Sequence, residues 1–128
     1  MIYVTAGIIK NRDNQLLITR RAIGQHLAGY WEFPGGKIEK NETPEECIKR
    51  EIKEELNIDI QVGSHIADSV YNYNSKIICL KGYRAKFIRG EIQLVDHDDY
   101  KWISINEFDQ FKFAPADIPL IKIIKNDI

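Results

Sequence analysis

The run Arg50-Glu51-Ile52-Lys53-Glu54-Glu55 constrains this chain more than any other stretch. Residues three and four apart share one side of a helix, so Glu51, Glu54 and Glu55 gather on a common face. Such a face is costly. Glu51 and Glu55 are a like-charge pair four apart, which weighs about 0.2–0.5 kcal/mol against the helix, and all three acids lie toward the C-terminal end, where the macrodipole favours cations. A face that breaks two local rules is either a solvated acidic surface or a functional one with a compensating partner. A divalent cation is the simplest compensator, because hard ions such as Mg²⁺ take carboxylate oxygens together with phosphate oxygens of a substrate.

The flanking residues fix where this helix begins and ends. Thr43 is an N-cap, Pro44 suits the first helical position, and Glu46 completes a capping box, so the helix starts at about residue 44. Asn57 tolerates the left-handed conformation of a C-cap, and Ile48, Ile52 and Leu56 form an apolar stripe beside the acids. One side packs while its neighbour coordinates. Upstream, Pro34-Gly35-Gly36 makes a tight loop whose backbone can approach a ligand or the helix closely.

Gly36, Glu42, the run from Arg50 to Glu55 and the aliphatic Ile58 together resemble the Nudix box, a 23-residue loop-helix-loop signature. One position departs: Asn57 stands where the family usually has Gly, and Asn enters the left-handed region at modest cost. Thr19-Arg20-Arg21 and the segment Phe113 to Pro119 extend the resemblance toward MutT-type nucleoside triphosphate pyrophosphohydrolases. The resemblance implies an α+β Nudix fold, an α/β/α sandwich with a mixed sheet, over a single domain 1–128. It also implies Mg²⁺-dependent hydrolysis, with Mn²⁺ as the alternative ion, of a normal or modified nucleoside triphosphate to the monophosphate and pyrophosphate.

Residue by residue, the same resemblance implies metal ligands at Glu51, Glu54 and Glu55, with the Gly36 carbonyl as an extra ligand. Arg50 orients an acid of the cluster, and Glu51 or Asp96 is the general base. Arg21 and Phe33 line the base pocket, Lys37 meets phosphate, and Glu32 lies near the metal. Asp96 is the further acid expected from the loop before the Trp102 strand, with His97 and Asp98 as alternates because loop length varies. The context of Asp117 is similar to a subgroup acting on CTP and modified cytidine nucleotides. Read by itself, Asp117 is equally an N-cap; ionised it accepts from an amino group, protonated it donates to a carbonyl.

The rest of the chain is scaffold. With 128 residues, 44% of them hydrophobic, there is enough for one domain with a sizeable core. A net charge of −1 gives no general attraction to long nucleic acid or anionic membranes. Cys47 and Cys79 lack metal-ligand spacing and read as buried thiols rather than a disulfide, and no apolar run of membrane length occurs, so a cytoplasmic protein, monomer or homodimer, is expected. Segments 3–9 and 15–19 read as a hairpin, and 58–62, 65–74 and 76–88 as strands broken at Gly63 and at Asn74-Ser75. Tyr71, Tyr73 and Tyr83 read as sheet aromatics, and Lys76, near the hairpin tip, is within approach of a bound nucleotide. His26, His65 and His97 complete no zinc pattern. Ser104 to Phe108 reads as a short capped turn, and 116–126 as an amphipathic helix that packs on the sheet.

Two other functions compete: a nucleotide-sensing module without catalysis, and a hydrolase of ADP-ribose, dinucleoside polyphosphates or capped RNA. The intact acid set speaks against the first, and the missing proline between Pro44 and Pro115 against ADP-ribose.

Overall fold

The computed structural model describes residues 1–126; Asp127 and Ile128, part of the expected domain 1–128, lie outside the described residues. Helix α1 spans Pro44–Leu56 and starts where its cap dictates: Glu46 N–H donates to Thr43 Oγ1 (3.1 Å) and Thr43 N–H donates to Glu46 Oε1 (2.9 Å). It ends at Asn57, left-handed at φ 60° and ψ 34°, whose N–H reaches the Lys53 carbonyl. Asn therefore fills the turn position without glycine.

Strands β1 (Ile2–Lys10) and β5 (Lys76–Arg89) run parallel, from the pair Ile2 and Ile78 to the pair Lys10 and Lys86. β4 (Asp59–Tyr73) is antiparallel to β5 through a turn in which Asn74 and Ser75 both take positive φ, as a tight hairpin demands. The break expected at Gly63 is instead an irregularity inside one strand: the register shifts between Val62 and His65 and again before Ala67, but the ladder continues. β2 (Leu16–Arg21) is antiparallel to β3 (Trp31–Glu32) on one side and to β6 (His97–Ile103) on the other, and meets β1 at the pair Lys10 and Leu16. The two residues of β3 carry no periodicity and escape sequence reading. They are a strand because Trp31 and Glu32 find ladder partners in Arg20 and Thr19.

Alternation along the strands sends neighbours to opposite faces. Ile9 and Leu17 join Ile48, Ile52 and Leu56 under α1, while Ile8 and Ile18 join Phe33, Phe108, Leu120 and Ile121 on the other side. The result is the expected mixed sheet with helices on both faces. The expected helix over 116–126 divides into a 3₁₀ turn, Pro115–Asp117, and α2, Ile118–Asn126. Pro119 has no N–H to give to the carbonyl of residue 115, so an α-helical ladder cannot run across both prolines. A second 3₁₀ turn, Ile105–Gln110, follows Ser104, and Ser104 N–H donates to Glu107 Oε1 at 2.8 Å.

What positions the site is the zippering of the glycine loop onto β1. Gly7 N–H donates to the Pro34 carbonyl and Thr5 N–H to the Gly36 carbonyl, both at 2.7 Å, and Ile38 N–H donates to the Tyr3 carbonyl. A Cβ on Gly35 would lie 2.0 Å from the Thr5 carbonyl oxygen, so this approach requires glycine. Both cysteines are buried free thiols. Among the described residues no helix is long and apolar enough to cross a membrane.

Candidate active site

The three glutamates of α1 do not stand together. At about 100° per residue, Glu55 lies about 40° to one side of Glu51 and Glu54 about 60° to the other. The side chains of Glu51 and Glu55 are half-buried beneath the glycine loop, whereas Glu54 is 59% exposed and turns toward Arg50. Arg50 distributes its guanidinium over this junction. It donates to both oxygens of Glu42, to Glu51 Oε1 (2.8 Å), to Glu54 Oε2 (3.2 Å) and to the Lys37 carbonyl (3.2 Å). The loop, the helix and two of the three acids are thus tied by a single cation.

Glu55 faces a cleft of about 230 Å³, bordered also by Arg21, Glu32, Phe33, Gly36, Asp96, His97 and Asp117. Burial, a hydrogen bond with Glu51 and the negative charges of Glu51, Glu32 and Asp96 hold the Glu55 carboxyl well above the ordinary carboxylate range. Its Oε2 is buried and has no hydrogen-bond partner among the described residues, and neither has His97 Nδ1, 4.0 Å away. Among the described residues no three His, Cys, Asp or Glu side chains form a ready-made ligand set. The donor chemistry nevertheless fits a divalent cation. An acid surrounded by three others, with one buried oxygen left unpartnered, is compensated either by a proton or by an ion that accepts hard oxygen ligands.

The same cleft also carries an aromatic and a second buried acid. Phe33 is buried against Phe108 and Phe113, and its N–H donates to Asp117 Oδ1 at 3.1 Å. Asp117 is therefore no N-cap. It closes the cleft floor, and complete burial beside Glu32 raises its carboxyl well above the ordinary range, so it favours the protonated, donating form. Arg21 Nη1 donates to Glu32 Oε1 at 2.9 Å, and Glu32 Oε2 is 2.9 Å from His97 Nε2.

Of the residues singled out in the sequence, Arg21, Phe33, Gly36, Glu55, Asp96 and Asp117 share this cleft, and Glu51 and Arg50 stand immediately behind it. The Gly36 carbonyl accepts from Thr5 N–H, from Thr5 Oγ1 (3.1 Å) and from the Cys47 thiol (3.4 Å), so it is turned into the scaffold. Lys37 and Lys76 are exposed and border no part of the cleft. Asp98, one alternate for the loop acid, pairs with Arg20 at 2.6 Å and does not border the cleft. His97, the second alternate, is buried inside the site. Its placement follows from a register that the sequence does not reveal: β6 pairs with β2 so that His97 sits opposite Arg21.

The family of the NUDIX domain matches residues 1–123. The chain is 38% identical to the CTP pyrophosphohydrolase of Escherichia coli K12 over 122 residues, 95% of this chain and 90% of that protein. It is 36% identical to the 8-oxo-dGTP diphosphatase of the same organism over 124 residues, 97% and 96% of the two chains. Among solved structures, the E. coli ORF135 protein superposes with a TM-score of 0.86 at 37% identity, covering 98% of this chain and 89% of that one. The MutT protein of methicillin-resistant Staphylococcus aureus gives 0.79 at 38% identity, covering 99% and 97%.

Proposed function

Because the chain belongs to the NUDIX domain family, we propose that it hydrolyses nucleoside triphosphates, normal or modified in the base, to the monophosphate and pyrophosphate, with Mg²⁺ as the working ion and Mn²⁺ able to replace it. The observation that carries this reading is one cleft lined by two chemically distinct sets of groups. Its lining joins the acids Glu55, Glu32 and Asp96, with a buried Glu55 oxygen left unpartnered, to Phe33, Arg21 and the buried carboxyl of Asp117. A nucleotide spans such a cleft with its phosphate chain at the acids and its base at Asp117.

A bound divalent cation would neutralise phosphate charge and lower the pKa of an attacking water. Glu51 and Glu55 would hold it, with Glu54 joining when it swings from Arg50. The remaining work falls to the chain's own residues. Arg50 fixes Glu51 through Oε1, and Glu51, whose Oε2 lies beside Gly36, would take a proton from water as the general base, with Asp96 on the cleft lining the second acid able to do so. Phe33 lines the base pocket and orients Asp117 through its N–H, while Asp117 donates or accepts at the edge of the base and so selects it. Lys37 remains an exposed cation available to phosphate, and Lys76 one available to a bound nucleotide. Positioning and charge neutralisation account for most of the rate in phosphoryl chemistry. The protein acts on a small nucleotide in the cytoplasm as one NUDIX domain, in keeping with its two buried free thiols.

A screen of nucleoside triphosphates and their oxidised or methylated forms, read by pyrophosphate release with Mg²⁺, tests this. CTP, 5-methyl-dCTP or 8-oxo-dGTP is expected among the leading substrates. Strongest turnover of ADP-ribose or a dinucleoside polyphosphate would overturn the substrate assignment, and nucleotide binding without hydrolysis in either metal would indicate a sensing module.

A further inference from the structure

His97 is buried to 8% exposure, yet it is a titratable, two-ended side chain in a cleft of acids. Its Nε2 lies 2.9 Å from Glu32 Oε2. A carboxylate accepts, so Nε2 carries a hydrogen toward Glu32. Nδ1 is buried without a partner, and Glu55 Oε2, itself buried without a partner, lies 4.0 Å away. The gap is too long for a direct hydrogen bond. The two atoms instead face each other out of reach of solvent. A chain of contacts follows, from Arg21 through Glu32 and His97 to Glu55.

We propose that His97 is a positioning residue for the reaction, packed against the Glu55 carboxyl group so as to hold it toward the cation while Nε2 anchors Glu32 and, behind it, Arg21. The proposal rests on the assignment of Glu55 to the metal end of the site. His97 joins that end to the base end, because Glu32 and Arg21 border the same cleft as Phe33 and Asp117. Asp96 supplies the backbone just before it and is held in turn by Gln25, whose side-chain amide donates to the Asp96 carbonyl at 3.0 Å. A residue that orients a metal-binding carboxylate without touching the metal commonly changes metal affinity or activity by 10- to 100-fold.

The test uses the full chain and four measurements: kcat and KM for the leading triphosphate, the affinity for Mn²⁺ alone by electron paramagnetic resonance of the free ion, and thermal stability. His97→Leu fills much of the same space and removes both nitrogens; His97→Met serves where the branched side chain is not accommodated. Either is expected to lower kcat about 10- to 100-fold and to weaken Mn²⁺ binding about tenfold, with a rise in KM as Glu32 and Arg21 lose their anchor. His97→Gln, which can reach Glu32 with its amide N–H and face Glu55 with its oxygen, is expected to recover both quantities to within about threefold. Wild-type kcat and Mn²⁺ affinity in the apolar variant would overturn the proposal, as would a Gln variant no better than it. Glu55→Gln separates the two levels: turnover that survives in Glu55→Gln defeats the site assignment itself, whereas a dead Glu55→Gln beside a normal His97→Leu defeats only the role of His97.

Discussion

Arg50 and Glu42 clasp each other across the junction of the glycine loop and α1, with Nε donating to Oε2 at 2.6 Å and Nη2 to Oε1 at 3.0 Å. The pair is the geometric reason that a loop and a helix of the same signature keep one relative placement, because the same guanidinium also holds Glu51.

The clasp has a pH signature. Hydrogen bonds from Arg50 lower the Glu42 carboxyl from 4.5 to about 2. A depressed acid contributes stability that is complete above its unfolded value and is lost as pH falls through its folded one. Wild type is therefore expected to melt above Glu42→Gln at pH 7, with the difference shrinking between pH 4.5 and 2. Melting curves of both proteins across this range check it, and a gap of constant size would contradict it.

Asp117 gives the opposite sign. Its carboxyl is raised, so ionisation of the unfolded chain above pH 3.8 draws stability away from the folded state as pH rises. Asp117→Asn keeps an oxygen for Phe33 N–H and has no charge to bury, so it is expected to be more stable than wild type at pH 7 and equal to it below pH 3.8. Its order of preference among the triphosphates should change. Denaturant melts at two pH values and the same substrate screen measure both effects.

Gly36 tests how closely the loop meets the helix. A Cβ there would lie 2.3 Å from the carboxyl carbon of Glu51 and 2.5 Å from its Oε2. Gly36→Ala must move that carboxylate, and displacing a reacting group by about 1 Å commonly costs about 100-fold in rate. A loss of kcat of this order, with a melting temperature within a few degrees of wild type, is expected. Unchanged kcat would remove Glu51 from the reaction.

Glu54 is the acid most removed from the cleft, and its expected role as a ligand requires it to leave Arg50. Glu54→Gln is expected to abolish detectable turnover at saturating Mg²⁺ while circular dichroism and melting remain those of wild type. Near-normal turnover would contradict the ligand role, and the exposed contact with Arg50 would then be its whole function.

Local chemistry was legible in the residues. Thr43, Pro44, Glu46 and Asn57 set both ends of α1, because capping is decided within a few residues of the chain. The stripe Ile48, Ile52, Leu56 named its buried face for the same reason, and the recurrent spacing of Gly36, Glu42 and Arg50 to Glu55 identified the family. What the spacing could not tell is that Glu54 parts from Glu51 and Glu55. Sharing a helix face limits side-chain direction only loosely, and Arg50, placed by the loop, draws Glu54 outward. The strand β3, the passage of β4 through Gly63 and the approach of His97 to Glu32 and Glu55 likewise depend on pairing partners far along the chain. Sequence determined which groups are available and where the helix holding them begins and ends; tertiary packing decided which of them face one another, because only long-range strand register and burial fix distances between residues 32, 55, 97 and 117.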